Sequence, residues 1–231
     1  SAEEVSIYND FLWSGTETII DSNLYDITSV IGNQYNNEEF FVGTWNNGLV
    51  KFENNTISNI YNSENSTLES ISDEGWVRIG GLAYDSNGYL WMTNSQAQRP
   101  LVSFKNNSFE SYLVPYISSS SMSGQIMFTN NNQFWIQIRN GGIVVAQIEN
   151  NNVSATKIGT SNGLASQTVN CFAEDNDGVV WVGTAQGLSV CYNTSTIIGG
   201  GTYSVDYILV ETDDGYVCLL YTSDAADERQ S

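Results

Sequence analysis

Histidine is absent from all 231 residues. Its absence removes the Ser-His-Asp and Cys-His nucleophile systems, His-ligated zinc and the usual general base of neutral pH. What remains for chemistry is carboxylate, amide and aromatic side chains and a few cations, with 26 Asp+Glu against 7 Lys+Arg and a formal charge of −19. The runs Asp85–Gly88 and Asp175–Gly178 have the form of half a calcium loop. A complete loop needs a bidentate carboxylate near its twelfth position. Counted from Asp175, that position holds Gln186. Both runs are therefore read as hairpin turns in which glycine supplies a positive φ, and no metal site is expected. Three cysteines make no disulfide framework.

The elements that must position any site are short strands. Runs rich in Val, Ile, Phe, Tyr and Trp alternate with Asn, Asp, Ser and Gly clusters, there are only 2 prolines, and helical periodicity is almost absent. Four segments align: 39–52, 83–104, 128–145 and 173–190, with Phe41, Trp91, Trp135 and Trp181 in register at spacings of 50, 44 and 46 residues. Four strands per unit of that length is the blade of a β-propeller, whereas a sandwich gives turn signals without so long a period. The fold class is all-β: a propeller of four-stranded antiparallel blades around 39–60, 80–112, 126–157 and 169–193. Strands near Tyr8–Leu12 and Leu24–Val30 would belong to a partial first blade, and Tyr207–Val217 to a hairpin beyond the fourth. About four to five blades fall short of a typical ring, so an incomplete ring is expected.

The repeats also place the aromatics and thiols. Trp91, Trp135 and Trp181 are expected to pack between blades. Cys171 and Cys191 fall on the first and third strands of one unit, too far apart for a disulfide, and are expected to be free, largely buried thiols.

The run DNDGVVWVGTAQGLSV (175–190), preceded by Asn162-Gly163-Leu164, resembles the repeat of the two-component regulator propeller family. The order of VGTWNNGLVKF, GWVRIGGLAYDSNGYLWMTN and LASQTVNCFAEDNDGVVWVGTAQGLSVCYN is similar to the PorZ-type propellers of the type IX secretion system of Bacteroidota. Thr93-Asn94 and Gln137-Ile138 depart from the Gly-Thr of that repeat, and Asn130–Gln133 lacks its Asp…Gly turn. The resemblance implies a non-enzymatic module at the cell surface or in the periplasm. It would belong to a complex that attaches cargo to anionic lipopolysaccharide, or alternatively be the ligand-sensing ectodomain of a hybrid two-component regulator. Residues 218–231 (CLLYTSDAADERQS) resemble a translated sequencing adapter, so a non-native tail is expected there. The opening SAEEVS, with neither a start Met nor a signal segment, reads as a processed or truncated piece.

In a propeller, the loop between a blade's second and third strands opens on the same end as the links between blades. These loops are Thr44–Gly48, Asn94–Pro100, Arg139–Gly142 and Thr184–Gly187. They place Trp45, Arg99, Arg139 and Gln186 at that end, with Arg78 just before an inner strand. An aromatic platform with amide and guanidinium donors suits sugars, and Arg forks suit anionic groups. The expected partners are a surface glycan or anionic lipopolysaccharide, or secretion-system proteins. The acidic balance argues against nucleic acid, and no apolar run is long enough to insert in a membrane. The loops offer no acidic pair for glycoside hydrolysis, so no catalytic residue and no cofactor are assigned.

Overall fold

The computed structural model describes residues 6–9, 12–15, 26–71, 75–212 and 215–218. A hairpin, β1 (Ser6–Asn9) and β2 (Leu12–Gly15), precedes four four-stranded antiparallel meanders. Blade I is β3 (Ile27–Asn33), β4 (Asn36–Thr44), β5 (Leu49–Glu53) and β6 (Thr56–Tyr61). Blade II is β7 (Ile79–Tyr84), β8 (Leu90–Asn94), β9 (Leu101–Lys105) and β10 (Ser108–Tyr112). Blade III is β11 (Ser123–Phe128), β12 (Phe134–Ile138), β13 (Gly142–Glu149) and β14 (Asn152–Ile158). Blade IV is β15 (Val169–Glu174), β16 (Val180–Thr184), β17 (Gly187–Tyr192) and β18 (Ser204–Tyr207), and a second hairpin follows, β19 (Leu209–Thr212) and β20 (Gly215–Cys218). These are propeller blades, and among the described residues they do not close into a ring. The strand expected within a separate partial blade at Leu24–Val30 is instead β3, the inner strand of blade I. Of the adapter-like tail, Cys218 ends β20 and 219–231 lie outside the described residues. No helix among the described residues is long and apolar enough to cross a membrane.

Turn chemistry sets each meander. Strands three and four of blades I, II and III are joined by Asn-Asn: 54–55, 106–107 and 150–151, all with φ between 49° and 63°. A two-residue turn with both φ positive is type I′, whose twist matches the paired strands, and Asn tolerates that region better than other side chains. Strands one and two of blades II and IV are joined by the Asp-x-x-Gly turns, with Gly88 and Gly178 each at φ 75°. Each inner strand also carries a bulge at the same point, between Ile27/Ser29, Ile79/Gly81, Ser123/Ile126 and Val169/Cys171.

The core lies in the seams between consecutive blades. Between I and II, Phe41, Leu49, Ile79, Met92 and Phe104 pack together; between II and III, Trp91, Leu101, Phe134 and Ile136; between III and IV, Trp135, Ile143, Val169, Val180 and Val182. Strand two explains the division. In β12, Phe134 and Ile136 face blade II while Trp135, on the opposite pleat, faces blade IV. Trp181 occupies the equivalent pleat of β16 and so points away from blade III. No described side chain seals that face, and Trp181 is 38% exposed. The expectation of inter-blade packing therefore fails at Trp181 but holds for Trp91 and Trp135, which are 7% and 0% exposed.

The departures from Gly-Thr tie neighbouring blades. Thr93 Oγ1 donates to the Gly124 carbonyl at 2.7 Å, and Gln137 Nε2 donates to the Val169 carbonyl. Both bonds run from strand two of one blade to the bulged inner strand of the next. Blade I makes the equivalent tie with Thr28, whose Oγ1 donates to Ile79 O at 2.6 Å. At the II–III seam the backbones come so close that a Cβ on Gly81 would lie 2.9 Å from Gln125 Cα and the Gly124 carbonyl.

Cys171 and Cys191 are free, but Cys171 is exposed and Cys191 is buried. The bulge is the cause: with an extra residue inserted, Asn170 and Cys171 both face outward before Phe172 returns to the seam. Burial, reinforced by the nearby Asp206 charge, pushes the Cys191 thiol up to about 12. The thiolate is the reactive species. In a Cys218→Ser variant, one thiol should therefore react rapidly with a disulfide reagent at pH 8 in the native state, and the second only on unfolding. Two fast thiols would show that the blade IV core is open.

Candidate binding site at the loop end

The four inner strands begin in a shared pattern. Trp45 N–H donates to Asp26 O at 2.9 Å, Ser95 to Arg78 at 2.8 Å, Arg139 to Met122 at 2.9 Å and Ala185 to Thr168 at 2.9 Å. Each of the first three loops also bonds the link entering the next blade: Gly48 N to Val77 O at 3.0 Å, Gln96 N to Ser121 O at 3.1 Å and Gly142 N to Gln167 O at 2.9 Å. This end of the propeller is thus a row of loops bonded across the seams.

Threonine closes the loops of blades I and IV. Thr44 Oγ1 donates to Gly48 O at 2.9 Å and Thr184 Oγ1 to Gly187 O at 2.8 Å. Blade II has Asn94 in that position, fully buried, and uses it differently. Its side chain accepts from Glu69 N at 2.7 Å and donates to Glu69 O at 3.2 Å. The Glu69 carboxylate in turn accepts from Gln98 N at 2.7 Å and Arg99 N at 3.1 Å. The longer loop is thereby clamped to the link between blades I and II.

The five expected residues fall in three places. Trp45 and Arg78 come together across the I–II seam, with the Arg78 guanidinium carbon 5.1 Å from the Trp45 ring centroid. Arg78 Nη1 also donates to Gln96 Oε1, and its buried Nε has no partner. Gln96, held at φ 61°, was not among the expected residues, and nothing in the NSQAQRP run marks it out. Arg139 and Gln186 sit exposed on the loops of blades III and IV, Arg139 Nη1 being 3.8 Å from Met122 Sδ. Arg99 lies apart: it lines a cleft of about 540 Å³ on the outer rim with Tyr112, Pro115 and Asn152. Among the described residues, two carboxylates share the loop end, and both are engaged, Glu69 as above and Asp26 with Asn46 Nδ2 at 2.9 Å.

Comparison with known proteins fits this geometry. Residues 163–186 match the two component regulator propeller family. Within that repeat each recurrent residue has a structural task. Asp175 Oδ1 accepts from Asp177 N and Val179 N, both at 3.0 Å, and Oδ2 accepts from the Trp181 indole at 2.8 Å. The indole, followed by the Val179 amide, holds the Asp175 carboxyl below its usual range. Asp85 repeats the pattern in blade II with Asn87 N, Tyr89 N and the Trp91 indole, all at 2.9 Å. The regulator-propeller aspartate is thus a turn cap and tryptophan anchor, which accounts for it without calcium.

Among solved structures, PorZ, a bacterial surface component of the type IX secretion system of Porphyromonas gingivalis, superimposes with TM-score 0.79 at 18% identity over 94% of this chain and 32% of PorZ. The extracellular domain of a protein described as a hybrid two component system of B. thetaiotaomicron gives 0.60 at 18% over 92% of this chain and 29% of that one. Virginiamycin B lyase of Staphylococcus aureus gives 0.63 at 16% over 89% and 63%. At these identities the likeness is one of fold. The chain spans about a third of the length of PorZ. A search of curated protein sequences finds no match.

Proposed function

We propose that this chain is a non-catalytic, extracytoplasmic binding module that engages a surface glycan or a partner protein through its loop end. The observation behind this reading is the Trp45–Arg78–Gln96 group: a guanidinium set over an indole and oriented by an amide, in a chain of net charge −19. An anionic polysaccharide would be repelled by most of such a surface and attracted to this island. The similar folds described as a surface component and as extracellular domains support the location. An inactive variant of the lyase replaces a histidine of that protein, a residue type this chain lacks. The described loop-end carboxylates, Asp26 and Glu69, are moreover committed to amide and backbone donors.

Calorimetric titration with an anionic lipopolysaccharide-derived polysaccharide tests the reading. Arg78→Ala and Arg139→Ala should each weaken binding by about 1.5–3 kcal/mol, with stronger binding at low salt. Arg99→Ala, on the outer rim, should have the smaller effect. Equal affinity of parent and Arg78→Ala would overturn the glycan assignment, and tight binding of a secretion-system protein would replace it with a docking role.

A further inference from the structure

A second cleft has different chemistry and lies elsewhere. It runs along the flank between blades II and III, has a volume of about 540 Å³, and is bordered by both strand-one-to-two turns and the Asn150–Asn151 turn. That size is within the range of small-molecule sites. Beneath it runs a continuous set of aromatic rings, Trp91 lying 4.4 Å from Phe134 and 5.6 Å from Tyr112, and Phe128 5.0 Å from Phe134. Trp91 and Phe134 are buried, so the ring surface open to a ligand is that of the half-buried Tyr112 and Phe128. Tyr89 stands on the lip, 40% exposed.

The polar groups around these rings divide into fixed and open ones. Asp85 is saturated by its turn and the Trp91 indole. Glu110 accepts the Tyr112 hydroxyl at 2.6 Å and Glu149 accepts Gln147 Nε2 at 3.2 Å, so each keeps an oxygen free of protein donors. The side-chain amides of Asn87, Asn132 and Asn151 line the cleft with no hydrogen bond to the described protein.

We propose that this flank cleft is a binding site for a neutral oligosaccharide. A sugar presents C–H faces that stack on aromatic rings and hydroxyls that both donate and accept. Open amides supply both partners and free carboxylate oxygens accept, which matches hydroxyls group for group. Asp85, Glu110 and Glu149 line the cleft, and Lys105 at its lip is held 4.5 Å above the Tyr89 ring and on the Asn87 carbonyl, so carboxylates outnumber cations there and anionic ligands are disfavoured. The selectivity is opposite to that of the Arg78 island, and the site does not depend on the loop-end reading.

The test is calorimetry of the intact chain with β-1,4-linked trisaccharides of glucose and of N-acetylglucosamine and with mannotriose, at up to about 10 mM, alongside trigalacturonate and trilysine. At least one neutral trisaccharide should bind. Tyr89→Ala and Asn132→Gly should each weaken it by about tenfold with little change in melting temperature, both positions being exposed and glycine tolerating the φ of 57° at residue 132. Arg78→Ala should leave this binding unchanged. Trigalacturonate should not bind at the flank. Absence of binding by all three neutral sugars, binding indifferent to both substitutions, or binding of trilysine alone would overturn the proposal, the last marking the cleft as a contact for basic peptides.

Discussion

Replacing Trp135 by alanine is expected to lower stability by about 3–5 kcal/mol, and the same change at Trp181 by about 1 kcal/mol or less. The two residues occupy the same place in the repeat, on the same pleat of strand two. Trp135 is fully buried in the III–IV seam among Ile143, Val145 and Val180, so its removal opens a cavity in a packed core. Trp181 stands 38% exposed with its indole on Asp175, and alanine there leaves little void. For a chain of this size the difference reads as roughly 6–20 °C in Tm for Trp135→Ala against a few degrees for Trp181→Ala. Equal losses would mean that Trp181 is covered by a following blade in solution.

The aspartate that anchors the tryptophan supplies the second large effect. Asp85→Ala is expected to cost about 2–3 kcal/mol, because the Trp91 indole and two turn amides lose one shared acceptor in a buried place. Blade III has done without that acceptor. Thr129 takes the equivalent position, bonded to Gln133 as Asp85 is to Tyr89, and the buried Trp135 indole nitrogen has no partner. Its turn is held by blade IV instead: the Glu174 carboxylate accepts Asn130 N at 2.9 Å, and Gln133 Nε2 donates to Thr194 O at 2.9 Å. Thr129→Asp should therefore stabilise the protein by about 1 kcal/mol at neutral pH, since the new carboxylate meets a waiting indole N–H and turn amides. A carboxyl lowered by such bonds stabilises above its unfolded-state pKa, and the gain should vanish as the pH falls through the folded value. A melting temperature below the parent's at pH 7 would show that burying the charge outweighs the bonds.

Much of this architecture is legible in the sequence because it is local. A type I′ turn needs positive φ at two adjacent residues, so Asn-Asn at 54–55, 106–107 and 150–151 marks three hairpins before any packing is considered. The same pair at 36–37, 46–47 and 130–132 lies elsewhere, so Asn-Asn marks these hairpins only together with the apolar runs on both sides. The Asp-x-x-Gly-x-x-Trp spacing likewise predicts its own hydrogen bonds, since acceptor and donors lie within six residues on one hairpin.

The candidate site was less legible. Trp45 and Arg78 are 33 positions apart in the chain, and what joins them is the seam between blades I and II, fixed by the pairing of Asn47 with Val77. Arg99 shares a loop with Gln96, yet Gln96 meets Arg78 while Arg99, its backbone held by Glu69, lines a cleft with Tyr112 and Asn152. The expected burial of Cys171 is undone by a single inserted bulge residue, which leaves both Asn170 and Cys171 exposed.

The sequence by itself determines the all-β class, the four-stranded repeat, the turn chemistry and the absence of histidine chemistry, because each rests on contacts between residues close along the chain. Only the tertiary structure decides which of two equivalent tryptophans is core and which is surface, which arginine finds an aromatic partner, and where a cleft opens between blades. Those outcomes depend on how one blade packs against the next, and residues distant along the chain meet only after every blade has taken its place.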